Sequence, residues 1–103
     1  MTATEDTHWL LGCWRLHWAE PELEILPDTR MEFQLDGQLI YTICIEDKQA
    51  IFELVYRLDG SELRTYHPDG GHATAARVSM EHDGRLQLDI DGRHAWFRRE
   101  HLM

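Results

Sequence analysis

Apolar and polar residues alternate along most of this chain, in short runs separated by polar breaks. Five of those breaks contain an Asp-Gly pair, and these pairs stand at positions 36–37, 59–60, 69–70, 83–84 and 91–92. Asp-Gly between alternating runs favours a hairpin turn, because glycine adopts positive φ without strain and aspartate bonds its own backbone. With a further break at Asp47-Lys48, turns recur about every ten residues, which predicts an all-β, up-and-down meander of about eight antiparallel strands.

Turn length decides which residues face each other across a hairpin, so each predicted turn can be compared with the apolar pattern. A three-residue loop over 35–37 pairs Phe33 with Leu39 on the inside. A loop of the same length at the fourth Asp-Gly pair places Met80 opposite Leu86. Both pairings put apolar residues on one face of the sheet.

Two-residue turns give the same result for the middle of the chain. Such a turn at Asp47-Lys48 pairs Tyr41 with Leu54, and one at the second Asp-Gly pair places Arg57 opposite Glu62 on the outside. The four turns agree on one inward face, and this agreement is the main support for the meander. The predicted inward residues are Trp14, Leu16, Trp18, Met31, Phe33, Leu35, Leu39, Tyr41, Ile43, Ile45, Phe52, Leu54, Tyr56, Leu58, Leu63, Ala76, Val78, Met80, Leu86, Leu88 and Ile90.

The last strand has two possible registers. A two-residue turn at the last Asp-Gly pair turns Ala95 and Phe97 inward, whereas a three-residue turn sends His94, Trp96 and Arg98 inward. No helix longer than two turns is predicted, so no helix is available to cover the apolar face of the sheet. Closure into a small barrel solves this problem, because it leaves no strand edge unpaired.

Length, N-terminal sequence and cysteine count predict the domain organisation and the cellular compartment. We expect residues 1–7 to be a disordered lead-in and residues 8–103 to form a single barrel domain. The N-terminal residues are acidic and lack the apolar run of a signal peptide, and no stretch reaches the ~18 apolar residues of a membrane span. Cys13 and Cys44 are too few for a disulfide framework. These observations predict a cytoplasmic protein with free thiols.

Charge narrows the classes of partner. The net charge is −9, which disfavours nucleic acid and anionic membranes because both attract basic surfaces. Long-range attraction would instead favour a basic protein partner.

The outward face of the third predicted strand indicates a second kind of contact. Ile40, Thr42 and Cys44 lie on that face beside Ile51 and Val55, and together they form an exterior apolar strip. Such a strip indicates a homodimer or another protein partner.

The start of the first strand resembles a known family. Residues 11–16, with Gly12 and Trp14, follow a short predicted helical turn and resemble the Gly-x-Trp signature of the calycins. Calycins include lipocalins, fatty-acid-binding proteins and small bacterial lipocalin-like domains. The resemblance implies that a basic residue of the last strand packs across Trp14, and both Arg98 and Arg99 stand where they can supply it.

Departures from the larger calycins refine this resemblance. The connection from Ala19 to Asp28 is too short for the two-helix lid of a fatty-acid-binding protein. The chain also lacks the disulfides and signal peptide of a secreted lipocalin. It is therefore most similar to a minimal, lid-less, cytoplasmic lipocalin-like barrel of bacterial type.

The barrel interior is the expected ligand site, since a barrel of eight strands is just wide enough to hold one small ligand. Inward tyrosines need partners for their hydroxyl groups, which makes them suited to polar contacts with a ligand. The alternative is an interior that is filled by its own rings. The candidate ligand-binding residues are Trp18, Tyr41, Phe52, Tyr56, Thr65 and Trp96.

No catalytic residue, metal site or cofactor is predicted. His67 and His72 flank one turn, but a metal site needs three or four convergent ligands. The sequence therefore supports three functions: binding of a small hydrophobic or aromatic ligand, an acidic immunity-type inhibitor of a basic partner, and a small cyclase or isomerase of a biosynthetic pathway.

Overall fold

The computed structural model describes residues 9–70 and 73–100, and the predicted lead-in over residues 1–7 lies outside these described residues. Each strand pairs antiparallel with the next, and the eighth pairs with the first, so the sheet closes into a barrel. The predicted eight-stranded meander and its closure are confirmed. The strands are β1 (Gly12–Ala19), β2 (Arg30–Phe33), β3 (Gln38–Ile45), β4 (Lys48–Asp59), β5 (Glu62–Tyr66), β6 (Ala73–Met80), β7 (Leu86–Ile90) and β8 (Arg93–Arg99).

Helix is confined to one short element in the described part of the chain, the 3-10 turn Pro21–Leu23. Nothing helical within residues 9–70 and 73–100 has the length and apolar character needed to cross a membrane.

All five analysed turns have a predicted length, and three of them also lie at the predicted position. Phe33 pairs with Leu39 and Met80 with Leu86, as the three-residue loops require. The last hairpin has the two-residue turn, which pairs Ile90 with Arg93. Its inward residues, including Phe97, are fully buried, and this settles the register that the sequence left open.

The β3–β4 turn lies one residue earlier than predicted. Glu46 and Asp47 form it, both with positive φ, and Tyr41 consequently pairs with Phe52 rather than Leu54. A shift of two residues in register leaves every side chain on its original face. The apolar pattern therefore could not reveal the error.

The β4–β5 turn is shifted in the same way. Its two turn residues are Gly60 and Ser61, so Arg57 faces Arg64 instead of Glu62. The face of each strand is again preserved.

The outer part of the β3–β4 hairpin extends beyond its neighbours. β2 pairs with β3 no further than Thr42, and β5 pairs with β4 no further than Val55. Ile45 and Phe52 lie past these points and are 48% and 42% exposed. Their predicted burial is wrong, because no adjacent strand covers them.

Two other predicted core residues are also exposed. Leu35 lies in the β2–β3 turn and Met80 at the end of β6, where the sheet ends. Alternation predicts which face of the sheet a residue lies on. It does not show whether the neighbouring strands extend far enough to cover that residue.

Side chains fill one end of the barrel, which we call the closed end. Trp14, Phe33 and Phe97 are at most 1% exposed there. The opposite end, where β1 ends and β2 begins, is called the open end. The remaining buried residues of the closed end are Leu10, Tyr56, Leu58, Val78 and Leu86.

Arg99 joins the last strand to the first at the closed end. Its guanidinium carbon lies 4.2 Å from the centre of the Trp14 ring. The same group donates hydrogen bonds to the carbonyl oxygens of Leu11 (2.6 Å) and Trp9 (2.7 Å). Of the two arginines that the sequence allowed, Arg99 makes the stack, while Arg98 lies on the outside and donates to His17.

Gly12 makes room for this arginine. A Cβ atom at position 12 would lie 2.9 Å from the nearer guanidinium nitrogen of Arg99, and the φ angle of +112° is one that other residues rarely adopt. The Gly-x-Trp segment is thus explained by one contact: Trp14 supplies the ring and Gly12 the space.

We expect Trp14→Ala to lower the free energy of unfolding by about 3–5 kcal/mol, as for other buried tryptophans. That is a large share of the ~5–15 kcal/mol that stabilises a typical domain. Trp18→Ala is the matched control, because Trp18 is 52% exposed, and it should cost about 1 kcal/mol or less. Urea denaturation followed by circular dichroism compares the two. Equal losses would contradict the packing described for the closed end.

Candidate functional site

An internal cavity of about 300 Å³ opens toward the open end of the barrel. This volume is at the lower limit for small-molecule sites. β3 and β4 form one wall, and β5, β6 and β7 form the other. The apolar residues that line it are Ile25, Met31, Leu39, Leu54, Leu63, Ala75, Ala76, Leu88 and Ile90.

Small residues of β6 leave this space empty. Ala76 lies opposite Leu63, and Thr74 opposite Thr65, so the β6 wall of the cavity carries two short side chains. At the closed end the same strand carries Val78, which is 3% exposed and packed in the core. Side-chain size along β6 therefore separates the filled end from the hollow one.

Three hydroxyl groups face the cavity. Those of Thr65 and Thr74 are hydrogen-bonded to each other at 2.6 Å. The third belongs to Tyr41, whose ring lines the cavity. Burial raises the pKa of the Tyr41 hydroxyl, so it remains protonated, and able to donate, at neutral pH.

The segment that connects β1 to β2, residues 20–29, contributes to the cavity wall through Ile25. Its first residue, Glu20, accepts a hydrogen bond from the backbone N–H of His94 (2.9 Å) and lies 3.1 Å from Nδ1 of the same ring. At its other end, Thr29 is fully buried and donates its hydroxyl to the Leu26 carbonyl at 2.6 Å. The backbone N–H of Leu16 in β1 donates to the Thr29 carbonyl at 2.8 Å, so both ends of this connecting segment are attached to the barrel.

Two predicted ligand-binding residues, Tyr41 and Thr65, lie together in this cavity. Tyr56 does not line the cavity and lies in the closed end of the barrel. Its hydroxyl donates to the Gln34 carbonyl at 2.8 Å, and its ring meets Phe33 edge-to-face at 5.0 Å. Phe52 lies on the exposed part of the β3–β4 hairpin and does not line the cavity.

Trp18 and Trp96 are outside the barrel. The predicted inward position of Trp18 is wrong, whereas Trp96 points outward because the last hairpin has the two-residue turn, one of the two lengths that the sequence allowed. Leu16 pairs with Phe97, but Trp18 pairs with Trp96, so a β-bulge at His17 shifts the register by one residue. A one-residue shift reverses the face of all that follows. The two indole rings therefore pack against each other on the outer surface, with centroids 5.4 Å apart.

Sequence reasoning missed three residues of the cavity wall, Ile25, Thr74 and Ala75. Alternation along β6 places Ala75 on the outward face, next to the inward Ala76. Thr74 follows a long turn whose length could not be assigned, so the register of β6 against Thr65 was unknown. Ile25 belongs to an irregular connection, where alternation carries no information. The only available signal was that Ile25 is one of three apolar residues, with Leu23 and Leu26, between Pro21 and Pro27.

A larger, open groove of about 550 Å³ lies on the outer face of β5, β6 and β7. Its charged residues include Glu62, Arg77 and Asp89. Across residues 9–70 and 73–100, no three His, Cys, Asp or Glu side chains are grouped so that they could hold a metal ion. Because an open polar groove excludes little water from a ligand, the interior cavity is the better candidate site.

Cys13 lies outside the cavity and is not activated. Burial, together with the negative charges of Glu32 and Glu100, raises the pKa of its thiol. A raised pKa lowers the thiolate fraction, and the thiolate is the nucleophilic form.

Comparison with known proteins agrees with this architecture. No family model matches the sequence, and no curated protein matches it. The crystal structure of a lipocalin-like protein from Bacteroides uniformis is similar in fold, with a TM-score of 0.72 and 20% sequence identity. The alignment covers 89% of this chain and 99% of that one. The chain therefore has a lipocalin-like fold, as its Gly12-x-Trp14 start and its closed meander predict.

Proposed function

We propose that the protein binds a small hydrophobic or aromatic ligand inside its barrel. The observation that carries this proposal is the apolar cavity of about 300 Å³ at the open end. Burial of apolar ligand surface in such a cavity contributes about 25 cal/mol per Å². The lipocalin-like fold supports the proposal, since small barrels of this architecture can hold one ligand.

The packing of the rest of the barrel adds a second argument. Residues of the closed end are almost fully buried, and Trp14 and Leu86 have no exposed surface. Protein interiors are normally close-packed, and a void forfeits the contacts of the atoms that line it. A cavity retained beside so dense a core is therefore accounted for by a ligand.

The probe N-phenylnaphthylamine should increase in fluorescence as it saturates the protein. Ala76→Phe places a ring in the cavity and should weaken this binding at least about tenfold, the effect of a loss of ~1.4 kcal/mol. Ala73→Phe is the matched control, because Ala73 lies on the same strand but points outward and is exposed. Equal binding by both variants would place the probe elsewhere, and absence of saturable binding would contradict the function.

The β3–β4 hairpin favours a second function, binding of a basic protein partner. Ile51 and Val55 lie on the outer face of β4 and are 59% and 40% exposed. Three exposed carboxylates, those of Glu46, Asp47 and Glu53, lie along the same hairpin, against one lysine. An apolar surface with an acidic border, on a chain of net charge −9, is complementary to a basic partner with an apolar patch.

We expect a basic protein, once captured and purified, to bind more weakly to Ile51→Glu than to the parent chain in calorimetric titration. Its association should also weaken as salt is added, because the attraction is electrostatic. Gln87→Glu on β7 serves as a control of equal charge change. If Ile51→Glu instead converts a dimer into a monomer in sedimentation experiments, the hairpin contacts a second copy and the basic-partner proposal is wrong.

A further inference from the structure

The polarity of the cavity restricts the class of ligand more narrowly than its volume does. No charged side chain lines it among the residues that the structure describes. The walls are aliphatic apart from the hydroxyl groups of Tyr41, Thr65 and Thr74. An ionised group that enters an apolar site without a partner of opposite charge is strongly disfavoured.

The hydroxyl groups differ in their availability to a ligand. Thr65 and Thr74 satisfy each other through their 2.6 Å hydrogen bond. The hydroxyl of Tyr41 makes no hydrogen bond to any described residue. The group is not fully buried, because among the described residues Nε1 of Trp96 is the only fully buried side-chain polar atom without a partner. The O–H of Tyr41 is therefore free to donate to whatever occupies the cavity.

Charges around the open end also disfavour anionic ligands. The connecting segment over residues 20–29 contains no basic residue and four acidic ones. Of these, Glu22 and Asp28 are paired with Arg93 and Arg15, while Glu20 and Glu24 have no arginine or lysine partner in the described part of the chain. The chain as a whole is also strongly acidic, with a net charge of −9. An anion would therefore be repelled during approach as well as disfavoured inside.

We propose that the cavity selects neutral ligands: compact, mainly hydrocarbon molecules with one ketone, aldehyde, ester or alcohol oxygen that accepts a hydrogen bond from Tyr41. Carboxylates of the same chain length are rejected. This inference rests on the proposed function, since it specifies which ligands the same cavity binds.

Three ligands with one hydrocarbon length test the selectivity: octanone, octanol and octanoate, each in competition with N-phenylnaphthylamine at neutral pH. Octanone and octanol should displace the probe at concentrations at least about tenfold lower than octanoate, because only octanoate carries an uncompensated charge into the cavity. Octanoate binding as tight as that of octanone would overturn the inference while leaving the proposed function intact. Failure of the probe and of all three ligands to bind would contradict both.

Tyr41→Phe tests the hydrogen bond. It should weaken octanone binding about two- to tenfold, the range of a single neutral hydrogen bond, and leave the affinity for naphthalene unchanged because naphthalene has no acceptor. Tyr66→Phe is the matched control, since Tyr66 lies on β5 beside Thr65 but on the opposite face. An equal loss for naphthalene and octanone in Tyr41→Phe, or an equal octanone loss in Tyr66→Phe, would contradict the role of Tyr41.

Discussion

The contact between Arg99 and Trp14 is the constraint around which the barrel is built. It connects the last strand to the first and caps the buried indole with a cation, at 4.2 Å from the ring centre. The two carbonyl groups that the guanidinium binds belong to Leu11 and Trp9, so the residues before β1 are held by the same side chain. Cation–π contacts contribute about 0.5–2 kcal/mol. This one also places its hydrogen bonds where the chain would otherwise leave backbone acceptors without partners.

The closed end determines where a ligand can bind. Trp14, Phe33 and Phe97 occupy the space near Arg99 with no room for another molecule. Toward the open end, Ala76 and Thr74 replace larger side chains, and the cavity begins. Stability and binding are thus assigned to opposite ends of one small barrel. The uncharged walls and the available Tyr41 hydroxyl then determine the chemistry of the occupant.

The sequence predicted the faces of the strands much better than their pairing. The turns at Glu46-Asp47 and Gly60-Ser61 lie one residue away from their predicted positions, which shifts the strand pairing by two residues. Side chains alternate between the faces with a period of two, so this shift changed the pairing partners but not the faces. A bulge changes the face itself, and nothing in the residues around His17 indicated one. For this reason Tyr41 and Thr65 were correctly placed inside, whereas Trp18 was not; the face of Trp96 depended on the length of the last turn, which the sequence left open. Ile25 and the exposed end of the β3–β4 hairpin depend on tertiary neighbours, which a pattern within one strand does not contain.

The division into a filled and a hollow end can be measured without knowledge of the natural ligand. Xenon enters apolar cavities, and it shifts the NMR signals of the methyl groups that it contacts. During xenon titration, the methyl signals of Leu54, Leu63 and Ile90, which line the cavity, should shift in a saturable manner. Those of Leu10, Val78 and Leu86, which lie in the closed end, should remain unchanged. Shifts of similar size in both groups, or none in the first, would contradict the account.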